Sequence, residues 1–381
     1  MANNRIYYAI QQVSLGSGLS TAGQPGSGIT GSPVAVHGLQ TVGITTNFNL
    51  EQIYEMGQLS LYQNFENVPD IEVTLNKVLD GYPLIYTVAT ESGTAVSTGL
   101  AATSPDLAGR ANTRTDLALT IFPEQRVSAS GTPLATVTCN GMYVSSVSYT
   151  FPNDGNFTED VTLVGNDKVW TANGSSGQFP TNNDAPTAVQ GVNRRQHLTM
   201  ANCRFPAQIP GIGSDGKNTL NATAASGFNV HFQNIKVSCN MGRESIFELG
   251  TKVPYYRYIN FPVQVSCDFD VMSVSGEWIQ ASASGYYTNF SSRTAANSST
   301  GACDKRFNLI NETIYLETCE GTKIDLGSRN KLTSVNYTGG DTGGGNVTMT
   351  YSYQNFNDFT VAHSSGLYYA SVSAPTVTIS E

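Results

Sequence analysis

A chain of 381 residues with 39% apolar and only 13% charged side chains, the balance filled by Gly, Asn, Ser and Thr, lacks the Glu, Lys and Arg that dress long helices. That composition suits short strands joined by turns, and the length exceeds what one core usually supports, so two all-β domains are expected. A net charge of -9 without any Lys/Arg run argues against a phosphate-gripping protein, and no apolar run is long enough to span a bilayer.

In chain order, residues 1–35 read as an N-terminal arm. The opening MANNRIYYAIQQVSLGSG has no apolar core of signal-peptide length, so a soluble, unsecreted product is expected. Residues 36–172 form the first domain. It contains the phrase QIYEMG (Gln52 to Gly57), then Tyr62, then the alternating strand VPDIEVTLNKVLDG opened by Pro69. A short helix is expected from Ser104-Pro105-Asp106, where Ser caps and Pro takes the first turn, with its end near Ala111. VSSVSYT, the turn FPNDGN and FTEDVTLVG then read as a β-hairpin. Residues 173–227 are too long for a simple connection. They read as a linker followed by a docking arm, in which Arg194, Arg195, Phe205, Ile209 and Ile212 present a mixed basic and apolar face to a neighbouring subunit or ring.

Residues 228–358 repeat the first domain. SIFELG (Ser245 to Gly250) lies 193 positions after its near-copy, and Pro262 holds the same offset from Pro69. A one-residue shift then sets Ile71, Val73 and Leu75 against Val263, Val265 and Cys267. LTSVNYT follows VSSVSYT at offset 188 and runs through GGDTGGGN into VTMTYSY. Three landmarks recur in the same order, which marks a duplicated domain. The fold class is therefore all-β, with two tandem sandwich- or barrel-like domains joined by a long arm, and with 359–381 as a C-terminal extension.

Several motifs imitate chemistry. GIGSDGKNT (Gly211 to Thr219) satisfies GxGxxG and nearly a P-loop, but no strand precedes it and no helix follows, so a surface turn is the better reading. The pairs Glu51/Glu55 and Glu244/Glu248 could suggest acid–base work, yet both belong to the repeated phrase, and duplicated structural loops are commoner than duplicated active sites. Gly57 and Gly250 suit a tight reversal with positive φ. The six cysteines lack any CxxC pair and read as separate buried thiols, while the four histidines are scattered. The aromatic cluster Tyr255, Tyr256, Tyr258 and Phe261 holds one Arg257, which favours a subunit contact over base stacking. No enzyme activity and no cofactor are expected.

The order ELG, aromatic loop, Pro-led strand, then SVSYT…DGNFTEDVTLVGNDKVW resembles the tail tube proteins of long-tailed bacteriophages, and NRRQHL…FPAQIPGI resembles an interdomain arm of phage major tail proteins. The resemblance implies sandwich-like domains, each with a flanking helix, that close into hexagonal rings and stack into a hollow conduit for DNA. Chains with two fused copies form trimers with pseudo-sixfold rings. The implied partners are the chain itself and other tail proteins, with DNA passing unbound through the lumen and no membrane. The implied location is the virion tail, assembled in the bacterial host cytoplasm. Glu51, Tyr54, Glu55, Gly57, Tyr62, Glu244, Phe247, Glu248, Gly250, Tyr255, Tyr256 and Arg257 are the candidate contacts between subunits or rings. The first copy carries 14 acids against 5 bases and the second 12 against 10, so a net negative lumen is expected, with Asp70, Glu72, Asp268 and Asp270 as candidate wall acids. A sheath, baseplate or terminator component and a carbohydrate-binding or depolymerase protein are the alternatives.

Overall fold

The computed structural model describes residues 5–17, 34–90, 107, 114–123, 132–172, 191–218, 230–273, 276–279, 309–340 and 345–363. Its strands are β1 (Gln11–Ser17), β2 (Val34–Ala35), β3 (Leu39–Asn47), β4 (Leu50–Tyr54), β5 (Leu61–Glu66), β6 (Asp70–Val78), β7 (Thr115–Ile121), β8 (Ala135–Pro152), β9 (Thr158–Gly165) and β10 (Val169–Ala172) in the first half. The second half contributes β11 (His231–Asn240), β12 (Arg243–Ile246), β13 (Tyr256–Ile259), β14 (Gln264–Met272), β15 (Tyr315–Glu317), β16 (Thr322–Asp325), β17 (Lys331–Thr338), β18 (Thr348–Phe356) and β19 (Thr360–His363). The fold is all-β, and every strand pair is antiparallel.

One front sheet runs through both halves in the order β3-β6-β9-β8-β11-β14-β18-β17. Strands β9, β14 and β18 alternate along their whole length, and β6 does so through Leu75. Ile71, Val73 and Leu75 of β6, like Val265, Cys267, Phe269 and Val271 of β14, are buried, and their neighbours face solvent or are half-buried. Burying each large apolar side chain contributes about 1.5–3 kcal/mol, so the alternation orients both strands the same way. The 18-residue β8 leaves the front sheet at its N-terminal end and joins a back sheet, β2-β1-β7-β8-β10. Behind the second half lies β15-β16-β19.

The two halves share even their irregularities. Gln40 is skipped in the β3–β6 register and Gln233 in the β11–β14 register, 193 positions apart. Ser145 in β8 and Thr333 in β17 are likewise skipped, at offset 188. These shared bulges correct one alignment. Ile71, Val73 and Leu75 correspond to Val265, Cys267 and Phe269, at offset 194, and not to Val263, Val265 and Cys267. Val263 is held before the strand by Asn357, whose side-chain oxygen accepts its N–H at 2.8 Å and whose N–H donates to its carbonyl at 2.9 Å. A two-residue slip preserves which side faces inward, so alternation alone could not detect it.

The described helix, α1 (Ile85–Thr90), was not anticipated, and the one expected from Ser104 to Ala111 lies outside the described residues apart from buried Leu107. Its sequence, IYTVAT, is rich in β-branched residues and weak as a helix former. Tertiary contact supplies the nucleus: buried Glu159 on β9 accepts the Ile85 and Tyr86 N–H groups at 2.7 and 3.0 Å and the Tyr149 hydroxyl at 3.0 Å. Burial pushes the Glu159 carboxyl above its ordinary pKa, against the pull of these donors and of the Lys77 charge. Lys77 is itself buried and ion-paired with Asp80.

The expected docking arm is also corrected. Phe205, Ile209 and Ile212 are fully buried in the core of their own chain, with the Phe205 ring stacked on Phe232 at 4.6 Å and edge-on to Phe269 at 6.1 Å. Because this apolar run emerges beside a sheet with an uncovered face, it is satisfied locally, and of the five candidates Arg194 and Arg195 alone are exposed. The described part of this motif, residues 211–218, forms a turn: Gly216 N–H donates to the Gly213 carbonyl at 2.9 Å, and the Lys217 ammonium donates to the Ala201 and Cys203 carbonyls at 2.7 and 3.0 Å. Cys139, Cys203, Cys239 and Cys267 are buried thiols, and burial pushes the first three up to about 12.

Candidate assembly interface

Where the halves meet, β8 pairs with β11 from Asn234 opposite Pro152 to Asn240 opposite Ser146. Val237 lies opposite Tyr149 there, and both are fully buried. The outer edges of the front sheet are β3 and β17, the counterparts of β11 and β8 in the other copy. Transferring the β8–β11 register to them places Ile44 opposite Tyr337 and Thr46 opposite Val335. Burial differs as an unfilled junction requires. Tyr149 is fully buried but Tyr337 is 54% exposed, and Ile44 is only half-buried where Val237 is covered. Neither edge has a neighbouring strand among the described residues, and each offers a row of backbone groups for pairing. Ile44 and Tyr337 escaped the sequence reading, although Tyr337 sits in the repeated SVNYT phrase.

Two hairpins project from this sheet, and the repeated hexapeptides form their tips. β4 pairs with β5 and β12 with β13, with Gln52 opposite Asn64 and Ser245 opposite Arg257 at the common offset of 193. Gly57 and Gly250 turn the chain with φ of +99° and +94°, a region that disfavours any side chain. Around them Met56, Leu59 and Leu249 are wholly exposed, and Tyr54, Tyr62, Phe247 and Tyr255 largely so. Glu51, Glu55, Glu244 and Glu248 are exposed too, with Glu55 accepting the Gln58 amide at 2.9 Å. Contiguous apolar tips of this kind mark contact surfaces.

The base of the second hairpin is already engaged within the chain, which corrects the expectation for Tyr256, Arg257 and Asp70. The nearly buried Arg257 guanidinium meets Asp70 at 2.7 Å and donates to Asn166 at 3.2 Å. Arg243 donates to the Val144 carbonyl at 2.7 Å and lies over the Tyr143 ring at 5.3 Å, while Tyr256 packs edge-on against the same ring at 5.2 Å. Burial lowers the Arg243 pKa to about 10, which still leaves it charged at neutral pH. Burial works upward on the Asp70 carboxyl, but Asn49, Arg257 and Asn166 together hold it below the ordinary range. In the first hairpin the matching positions are Asn64 and Leu50, so the cationic clamp belongs to the second copy alone.

On the solvent face of the front sheet, register and alternation place Glu72, Asp160, Asp268 and Asp270 with Lys236 and Lys331, among Ser146, Ser148, Ser238, Ser266 and Ser352. Asp270 accepts the Thr350 hydroxyl at 2.6 Å and the Asn234 amide at 3.1 Å, Asp160 accepts Asn76 at 2.6 Å, and Lys236 stands opposite Asp268. Of the candidate wall acids, Glu72, Asp268 and Asp270 thus share one face, whereas Asp70 is neutralised at its rim by Arg257. Among the described residues no group of His, Cys, Asp or Glu converges as a metal site, and no helix is long and apolar enough to cross a membrane.

No family profile matches the chain, and no curated protein is similar to it in sequence. Among solved structures it is similar to the tube-terminating cap of the anti-feeding prophage, with a TM-score of 0.30 and 12% identity over 45% of this chain and 94% of that one. It is similar to a chain of the sheath–tube complex of an extracellular contractile injection system in its extended state, with a TM-score of 0.29 and 13% identity over 45% and 94%. The anti-feeding prophage baseplate gives a TM-score of 0.29 and 8% identity over 45% and 98%. Likeness at this level fixes neither fold nor function, so the chain's own geometry has to carry any functional reading.

Proposed function

We propose that this chain is a structural subunit of a phage-type tail tube, three copies of which close into a pseudo-sixfold ring that stacks into a hollow conduit for DNA. The observation that carries the reading is the pair of complementary outer edges. β17 matches β8 and β3 matches β11, so the junction inside one chain is a template for the junction between chains. Head-to-tail contacts of this sort close into a ring when the rotation permits, and closure removes the free edges of the front sheet. Barrels of 16–18 strands already enclose an aqueous channel, and three chains supply more.

The acidic, hydroxyl-rich face of the sheet lines the channel in this arrangement. Its carboxylates outnumber its ammonium groups, so phosphates meet no continuous basic track along which to release counterions. At physiological salt the repulsion reaches only about 8 Å, which centres a duplex without gripping it. No catalytic chemistry and no cofactor enter this role.

The test is native mass spectrometry with negative-stain microscopy of the purified chain. The expected species has three times the 40.7 kDa chain mass and forms uniform hollow rods. A six-chain ring would remove the pseudo-sixfold argument, and single rings that never stack would favour a terminator or baseplate component. The exposed hairpin tips bring ring to ring. Met56→Asp with Leu249→Asp is therefore expected to leave rings of unchanged mass and abolish rods, as seen by microscopy, because each stacking contact would bury an unpaired carboxylate at a cost of several kcal/mol.

A further inference from the structure

We infer that the N-terminal stretch around Ile6 and Tyr7 is an exchange arm that binds the second half of the preceding chain, in the notch formed by Ser273, Asn346 and Val347. The inference rests on the ring reading and adds a contact that the sheet edges do not require.

The template lies inside the chain. On its way from the first half to the second, the backbone of Asn193 is caught by strand ends of the first half: its N–H donates to the Leu79 carbonyl at 2.7 Å, and its carbonyl accepts the Phe157 N–H at 2.9 Å. Arg194 then bridges to Asn156, with its Nε donating to the Asn156 side-chain oxygen at 3.1 Å. A 3-10 turn at Arg195–His197, closed by His197 N–H to the Arg194 carbonyl at 2.8 Å, leads into a segment alongside β15, where Leu198 faces Thr318 and Arg204 faces Tyr315.

The N-terminus repeats this path on the first half. A 3-10 turn at Tyr8–Ile10, closed by Ile10 N–H to the Tyr7 carbonyl at 3.2 Å, leads into β1 alongside β7. The residues preceding the two turns have nearly the same backbone, with Tyr7 at φ -138 and ψ 167 and Arg194 at φ -135 and ψ 179. Strand partners agree. β7 pairs with β8 at Leu119 opposite Val137, and β15 pairs with β16 at Tyr315 opposite Asp325, with Val137 and Asp325 at the offset of 188 that relates β8 to β17. Val13 faces Leu119 as Arg204 faces Tyr315, with four more residues between the turn and this pairing in the second half. Tyr7 therefore corresponds to Arg194, and Ile6 to Asn193.

The receiving notch is duplicated as well. Leu79 N–H donates to the Phe157 carbonyl at 2.9 Å, and Ser273 N–H donates to the Val347 carbonyl at 2.9 Å, at the offsets of 194 and 190 that relate β6 to β14 and β9 to β18. Asn156 recurs as Asn346, GNFT becoming GNVT. What differs is cover: Phe157 is buried and Asn156 half-buried, whereas Val347 is half-buried and Asn346 exposed. Among the described residues no backbone hydrogen bond reaches the Ser273 carbonyl or the Val347 N–H. The arm at 193–194 grips the half that precedes its own, and the half preceding the first lies in the neighbouring chain. Ile6 and Tyr8, 55% and 88% exposed in one chain, gain their cover there.

Matched cysteine pairs test this. Asn156→Cys with Arg194→Cys should form a disulfide within one chain. Tyr7→Cys with Asn346→Cys, the transferred pair, should link chains into covalent dimers and closed trimers on non-reducing denaturing gels, and neither single-cysteine variant should do so. Cys139, Cys203, Cys239 and Cys267 are buried with raised pKa values and do not compete, and every variant also carries Cys303→Ser and Cys319→Ser so that the remaining native thiols cannot form the link. Independently, Ile6→Pro removes the N–H that would meet the Ser273 carbonyl and should raise the ring dissociation constant roughly tenfold without altering monomer stability. Rings of the expected mass in which the control pair links but the Tyr7/Asn346 pair does not, or an unchanged dissociation constant for Ile6→Pro, would overturn the arm and leave the ring intact. A wild-type chain that forms no rings would overturn both.

Discussion

Tyr337→Lys is expected to leave the chain folded and to abolish its rings. In the isolated chain Tyr337 is 54% exposed on the outer strand β17, so its replacement removes little packing, and the melting temperature should stay within about 2 °C. In the proposed ring it would take the place that Tyr149 holds at the internal junction, opposite Ile44 as Tyr149 is opposite Val237. A lysine there would be buried against aliphatic carbon without a partner, which costs several kcal/mol at every junction. About 4 kcal/mol per junction corresponds to roughly a thousandfold loss of affinity, and native mass measurement should find single chains. Ile44→Lys should behave alike, because it meets the same contact from the other side. Tyr149→Lys should instead prevent folding, since that junction is made within the chain. If rings of Tyr337→Lys formed at wild-type concentrations, edge pairing would not be the closing contact.

A large loss of stability is also expected for Glu159→Ala. The substitution strands the Ile85 and Tyr86 amides and the Tyr149 hydroxyl and removes a carboxyl that feels the charge of buried Lys77, whose ion-pair partner is Asp80. Breaking a buried charged network by removing one partner costs about 3–5 kcal/mol, a large share of an ordinary domain's stability. The sign of the pH effect follows from the raised pKa. The folded chain holds the Glu159 proton more tightly than the unfolded chain, whose carboxyl titrates near 4.5. The stabilisation from this group is therefore complete below that pH and declines as the pH rises through the folded value. Glu159→Gln should cost less than Ala, about 1–3 kcal/mol, and should remove that part of the slope. Urea unfolding across a pH series checks both, and a slope unchanged in Glu159→Gln would place the titration elsewhere.

Elements whose cause is local were legible in the order of residues alone. Alternation marks β6 and β14 because burying one face of a strand needs only a period of two. The hairpin tips are legible in QIYEMG and SIFELG because Gly57 and Gly250 serve a positive φ within the turn itself. Since a duplication is written in the order of its parts, the repeated landmarks and their approximate offsets could be read as well.

The tertiary structure decided whatever depends on partners far along the chain. Helix α1 exists because Glu159, 74 residues beyond Ile85, accepts its first amides, and nothing within IYTVAT announces it. Asp70 is removed from the free acids by Arg257, 187 residues away. Phe205 and Ile209 look like a docking face in a polar linker, yet they fill their own core, because only the folded chain shows that the sheet behind β14 would otherwise be bare. The same holds for the candidate interface: β8 meets β11 inside the chain, and that pairing alone identifies β3 and β17 as its separated counterparts. Strand alternation says which way side chains face but carries no information about which edges meet, so the residues at the outer edges acquire a role only once the sheet order is known.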